Sequence, residues 1–425
     1  MASYLGDLRS NWRPVAAVFM GLSGGLMTSS YVIGIMAPYL IRELHWSRAD
    51  FATVGALGLT SVVFFPVVGR LADRVGVRPT AMIGAVTSPL IYFALSQLHD
   101  LRTYAILFAL QCLLLVTTTP PVYCRIIVQY VVRARGLALA IVACGPALVG
   151  AIGGPLLNNF VAEHGWRAGY LVLMGFSAVT GFCSILLLPG KSGVVPASRV
   201  KPPTAQQDYG AIVRLRPFWI MFGAAILCSL PSAMMMTQLS LVLAENGVTG
   251  KSVSIMIGGM AGGTLMGRIM SGIALDRFPA SIVVMVGYGL SGIGMLTISA
   301  GLDSHIVLLI AVVLIGLSAG AEGDLTAYLV VRNFGLRLYG SIFGILAATT
   351  AIGASLGAVL LGVMLAAFGS FAPYLRFAGV LVIIGGVLYT LLPGNPLLGD
   401  EEERDGAEAR PIVEPLADIA LSPSA

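Results

Sequence analysis

An all-α membrane protein of twelve transmembrane helices is what three features of this sequence require. First, of 425 residues 57% are hydrophobic and only 11% are charged, where soluble domains carry about 25% charge. Too few charges remain to cover a water-facing surface. Second, the apolar residues fall in runs of about 20, the length that crosses a hydrocarbon core. Third, mean hydropathy is +0.90, and the 52 glycines suit the close packing of membrane helices. A soluble enzyme, a disordered tail protein and a secreted disulfide scaffold are excluded by this composition.

The runs and their polar breaks place spans at 14–40, 50–69, 79–97, 103–131, 136–162, 167–189, 217–243, 251–272, 280–301, 304–331, 338–367 and 372–393. The longest break, 190–216, contains Gly190, Lys191, Pro196, Arg199, Lys201, Pro202 and Pro203 and reads as a polar linker. The expected organisation is therefore an N-tail 1–13, a six-helix bundle 14–189, the linker 190–216, a second bundle 217–393, and an acidic tail 394–425. That tail, with Asp400, Glu401, Glu402 and Glu403, has the composition of disorder. A polar start followed by a long apolar run does not match a cleavable signal peptide. The five cysteines all lie in apolar stretches without a CxxC pair and read as small core residues, not as a disulfide or metal framework.

Lys and Arg placement gives an orientation. With the N-terminus inside, nineteen of the 25 basic residues fall on inside segments and six outside (Arg42, Arg48, Arg102, Arg167, Lys251, Arg376). Leaving out Arg125 and Arg268, which fall within spans, keeps the bias. Both termini are expected to be cytoplasmic in a multi-pass protein of the cell membrane, with the four histidines outside.

The halves repeat. Gly69-Arg70-Leu71-Ala72-Asp73-Arg74 follows span 2 and Gly272-Ile273-Ala274-Leu275-Asp276-Arg277 follows span 8, about 203 residues later. Nearly the same shift carries Arg133 and Gly136 onto Arg337 and Gly340. A duplicated six-helix unit is the usual architecture of secondary transporters, with the substrate site at the midplane between repeats.

The stretch Gly69-Arg70-Leu71-Ala72-Asp73-Arg74-Val75-Gly76-Val77-Arg78 resembles the loop 2–3 motif of the major facilitator superfamily, and its second copy ends at Asp276 and Arg277. The motif has a physical sense: Gly69 permits close helix approach, Asp73 can cap a helix end or pair with an Arg, and Arg74 and Arg78 hold the loop to the inner side. A narrower resemblance, to monocarboxylate transporters and the bacterial oxalate:formate-antiporter-like group, rests on Tyr130, Arg133, Arg135, Leu137, Ala138 and Gly145. It is joined by Glu43-Leu44-His45-Trp46-Ser47-Arg48 and Gly165-Trp166-Arg167. Val131, Ala134, Ala140, Val142 and Cys144 depart from that pattern.

Intramembrane ionisable residues mark candidate sites. Arg268 sits eight residues before Asp276, about 12 Å into the membrane at 1.5 Å per residue. Its fork can hold a carboxylate, and the resemblance implies a substrate-binding Arg in this stretch. Where those relatives often place an Asp four residues earlier, this chain has Thr264. The alternative is a structural ion pair. Glu322 and Asp324 in span 10 are the candidates for proton coupling or for that pair. Two residues apart, they face different sides of a helix, so at most one faces a cavity.

In span 4, Thr117-Thr118-Thr119-Pro120-Pro121 reads as a broken helix, with Tyr123 a possible substrate contact. Arg125 is either a second anion anchor, part of an inner gate, or a residue that snorkels to the interface. The resemblance implies that spans 1, 4, 7 and 10 line a central cavity, which adds Tyr31, Ser232 and Gln238 as substrate-binding candidates. Gly145-Pro146 resembles an antiporter motif and equally fits a packing face.

No P-loop, HExxH or GxSxG occurs, so no enzyme, cofactor, metal or nucleic-acid partner is expected. The expected partners are a small organic anion, protons or a counter-transported anion, and membrane lipid. The alternatives are an exporter of hydrophobic compounds or drugs and, from another class, a membrane sensor or intramembrane enzyme.

Overall fold

In the computed structural model, residues 2–46, 54, 56–189, 210, 212–248, 251–302 and 304–392 are described. Every regular element among them is helical. After a short helix, Ala2–Ser10, span 1 runs as Trp12–Ser23 and Leu26–Glu43. Span 2 is Thr60–Val75 and span 3 is Val77–Ser96. Span 4 is split into Leu101–Leu114, a 3-10 turn Leu115–Thr118, and Pro120–Tyr130. Span 5 starts as Arg135–Leu148, loosens into one π turn, Val149–Gly153, and continues to Gly165. There a φ of 84° turns the chain into span 6, which ends at Leu187.

Span 7 comes in three pieces, Arg216–Ser229, Ser232–Thr237 and Leu239–Glu245. Spans 8 to 12 are Lys251–Leu275, Ala280–Ser299, His305–Phe334, Tyr339–Phe368 and Ala372–Leu388. Among the described residues, ten of the twelve are long and apolar enough to cross a membrane; spans 2 and 8, which carry the repeated motif, are the two outside that set. Most of the expected linker and all of the tail 394–425 lie outside the described residues.

The packing is what a duplicated unit dictates. Within the first half span 1 packs on spans 5 and 6, and span 3 on span 6. Within the second, span 7 packs on spans 11 and 12, and span 9 on span 12. The halves meet through span 2 against span 11 and span 5 against span 8, which exchange under the same six-helix shift. Large apolar residues such as Val63, Phe182, Leu186, Ile306, Val359 and Phe368 are more than 60% exposed. In water such a surface would aggregate; in a bilayer it is the face toward lipid.

Helix ends outside the membrane use ordinary caps. Asp100 accepts from the Thr103 N–H at 2.7 Å and from its hydroxyl at 2.8 Å, opening span 4. Those bonds, the backbone one first, hold its carboxyl below the ordinary range. Residues 12 and 391 lie at one end of the bundle, the terminal end.

Candidate transport cavity and gate

Three of the four helices around the middle of the bundle are broken at one depth. Span 1 breaks at Gly24 and Gly25, and Thr118 Oγ1 accepts from the Leu26 N–H at 3.0 Å. Span 4 breaks at Thr119, whose backbone is extended. This is the broken helix that the Thr-Pro-Pro run predicts. Pro120 and Pro121 open a new helix, where a proline's missing N–H costs nothing. The hydroxyls of Thr117, Thr118 and Thr119 donate to the carbonyls of Leu114, Leu115 and Val116 at 2.6, 2.6 and 2.5 Å.

Span 7 breaks at Leu230 and Pro231, and the Tyr374 hydroxyl donates to the Leu230 carbonyl at 2.9 Å. A second repeat supports these breaks. Ser23 of span 1 lies against Gly145 of span 5, as Ser229 of span 7 lies against Gly353 of span 11. Each serine hydroxyl donates to the carbonyl four residues back, Phe19 or Ala225.

Between the breaks is a cavity of about 400 Å³. Its wall is mostly apolar (Met27, Phe65, Pro120, Pro121, Phe343 and several alanines), with Ser229, Ser232, Thr326 and Thr350 as hydroxyls. Glu322 is the one ionisable side chain among the lining residues. Asp324 turns the other way. It is buried, and its Oδ2 lies 4.0 Å from Nη1 of Arg268 on span 8. That distance permits attraction but is too long for a hydrogen bond. Asp324 Oδ2 and Arg268 Nε both lack a hydrogen-bond partner, so the pair keeps bonding capacity to spare. Spans 8 and 10 approach closely enough that a Cβ on Gly320 would strike the Thr264 carbonyl. That closeness lets a carboxylate on span 10 meet the Arg that Thr264, on its own helix, cannot pair.

The terminal end of the cavity is shut by two matching locks. Asp73 accepts from the N–H groups of Gly340 and Ser341 at 2.9 and 2.7 Å and from the Ser341 hydroxyl at 2.8 Å. It also pairs with Arg125 of span 4. Asp276 accepts from the N–H groups of Gly136 and Leu137 at 2.7 and 3.1 Å, and from the Tyr4 hydroxyl at 2.7 Å. Each aspartate thus caps the first turn of a helix in the other half, where free N–H groups and the helix dipole favour negative charge. Glycine makes this approach possible. A Cβ on Gly69 would collide with the Gly340 carbonyl, and one on Gly136 with that of Gly272.

The remaining candidates separate from the cavity. Tyr123 is fully buried and hydrogen-bonds Ser184 at 3.1 Å beneath Gly21, inside the first half; it is not a lining residue. Tyr31 lies over Gly150 and lines another apolar hollow, of about 420 Å³, among spans 1, 5 and 6. Gln238 sits at the second break of span 7, outside the lining set. Arg125 is 1% exposed and pairs with Asp73, so it belongs to the lock and does not snorkel to the interface. Arg268 is held against Asp324, outside the cavity lining. Of the motif residues, Gly76 (φ 98°) starts span 3. Arg74 and Arg277 are exposed and Arg78 is half-buried at the terminal end. Sequence reasoning missed Tyr4 and Asp7 of the first helix and the lining residues Phe65, Thr326 and Thr350. The recurrence of a Ser and a Gly in the Ser23/Gly145 and Ser229/Gly353 pairs, close to the repeat shift, was the available signal for the breaks.

A family model described as Major Facilitator Superfamily matches residues 18–242 and again 221–424. Human monocarboxylate transporter 6 is 29% identical over 189 residues, 44% of this chain and 36% of that protein. The gallate transporter of Pseudomonas putida is 23% identical over 382 residues, 79% of this chain and 84% of that one. Among solved structures, the E. coli fucose:proton symporter superposes with a TM-score of 0.71 at 13% identity, over 90% of this chain and 98% of that one. This last likeness concerns the fold.

Proposed function

Because the chain belongs to the major facilitator superfamily of transporters, we propose that it carries a small organic acid, a monocarboxylate, together with a proton by alternating access. The observation that carries this reading is the lining carboxylate Glu322 on the same helix as Asp324, whose pair with Arg268 of span 8 is under-bonded. An anionic substrate entering beside ionised Glu322 meets like charge, at a cost of about 4 kcal/mol for 4 Å and an effective dielectric of 20. Protonation removes that cost and makes Glu322 a hydrogen-bond donor. Substrate and proton then bind together, which is the condition for coupling. Arg268 lies outside the lining, and its unused bonding capacity holds a carboxylate once Asp324 releases it and its side chain turns to the cavity. The second halves of spans 1 and 4 begin at the cavity, so the positive ends of two helix dipoles face it. The names of two relatives, a monocarboxylate transporter and a gallate transporter, agree with an organic acid.

In this reading the terminal end is cytoplasmic, as the Lys and Arg bias requires. The locked state then loads from outside, and breaking the Asp73 and Asp276 caps lets the halves rock and open inward. A second reading, export of hydrophobic cations, is favoured by one fact: the lining contains a carboxylate and no Lys or Arg. Thermal stabilisation of the purified protein separates the two. Monocarboxylates should raise the melting temperature more at acidic than at neutral pH, and their neutral amides should not. Stabilisation by lipophilic cations alone overturns the acid reading.

A further inference from the structure

The helix Ala2–Ser10 joins both halves of the bundle across the closed end. Asp7 Oδ2 accepts from the N–H groups of Val132, Arg133 and Ala134 at 3.1, 2.8 and 3.4 Å, holding the helix to the loop between spans 4 and 5. One turn earlier and on the same face, the Tyr4 hydroxyl donates to Asp276 of the second half at 2.7 Å. Asn11 steadies the anchor by donating to Asp7 Oδ1 at 2.9 Å. Tyr4 and Leu8 pack on the core beneath. Burial first, and then the Asp276 carboxylate, hold the Tyr4 hydroxyl above its ordinary range, so it remains a donor.

The two locks are not equally bonded by their own repeats. Asp73 takes a side-chain hydroxyl from Ser341 and a guanidinium from Arg125. By the shift of about 204 residues the matching positions for Asp276 are Leu137 and Leu329, neither of which has a polar side chain. Tyr4 supplies a donor that those two positions do not.

We propose that the N-terminal helix is a latch: anchored to the first half by Asp7, it reaches across with Tyr4 to hold the Asp276 lock shut and so favours the state closed at the terminal end. The inference needs two rocking halves but no particular substrate or coupling ion, so it can fail while the acid reading stands, and the reverse. When the end opens, the helix stays with the first half, and Tyr4 to Asp276 is the bond that breaks.

Hydrogen exchange of the full chain in lipid nanodiscs tests this. Tyr4→Phe removes one hydrogen bond to a charged group, so the open fraction should rise about tenfold. Opening separates both locks at once. Exchange should therefore quicken at residues 136–138 and equally at 340–342, which lie under Asp73 and do not touch the helix. Asp7→Asn, which weakens the anchor and leaves the phenol, should do the same to a lesser degree. Faster exchange confined to residues 132–138, or no change at either lock, overturns the latch. An unchanged melting temperature in both variants assigns the effect to opening and not to loss of fold.

Discussion

Arg268 and Asp324 define what a single side chain contributes here. Asp324 is 3% exposed, and Arg268 is the cation facing it. Removing one partner of a buried pair costs about 3–5 kcal/mol because the other charge is stranded, whereas removing both is far cheaper. Arg268 retains some exposure, so the lower end of that range applies. Arg268→Ala should lower the melting temperature markedly, and adding Asp324→Asn should restore most of it. The double variant should still fail to bind a carboxylate, because the cation is gone. Rescue of both stability and carboxylate binding would confine Arg268 to a structural role. The sequence already carried the cost of an intramembrane Arg and the absence of an Asp at position 264. It narrowed the partner to Glu322 or Asp324 but did not choose between them, because the pairing of spans 8 and 10 depends on how closely Gly320 lets them approach. Tyr123 went astray for the same reason: a helix position gives a face, but only the neighbours Gly21 and Ser184 tell which side that face is on.

Helices and their breaks repeat this division. Twelve apolar runs were legible because each must satisfy its own backbone in lipid. The repeat of Gly69 and Asp73 in Gly272 and Asp276 was legible as spacing. Its use was half legible: Asp73 was expected to cap a helix or pair with an Arg, and it does both. The breaks in spans 1 and 7 were not, because Gly24 and Gly25 stand among many packing glycines, and Pro231 can kink a helix or restart it. The proline pair in span 4 was seen, but the hydroxyls that complete the backbone there decide the geometry. The locks rest on backbone touching backbone, so they are sensitive to one methyl group. Gly340→Ala puts a Cβ into the Gly69 carbonyl. Spans 2 and 11 must separate, and the Asp73 caps lengthen. Exchange at residues 340–342 should speed up by at least tenfold while substrate affinity changes by no more than a few fold. Unchanged exchange would mean that the contact is not the seal.

The molecule as a whole repeats one packing pattern in two halves, locked at one end by two aspartates, with a cavity between them whose described lining holds one carboxylate. Pseudo-symmetry explains why the locks match. Its departures explain the chemistry: span 10 has Glu322, Gly323 and Asp324 near the depth where span 4 has Thr118, Thr119 and Pro120. One half thus supplies a break and the other supplies the ionisable groups. If Glu322 carries the proton, movement of an organic acid must follow a proton gradient and must stop following it when that residue cannot titrate. The direct measurement is uptake of a labelled monocarboxylate into proteoliposomes under an inward proton gradient. Protein-free liposomes give the background from permeation of the neutral acid. Wild-type protein should accumulate the acid above that background. Glu322→Gln should abolish gradient-driven accumulation yet retain exchange of internal for external substrate. Accumulation by Glu322→Gln equal to wild type, or wild-type uptake indifferent to the gradient, would contradict the account.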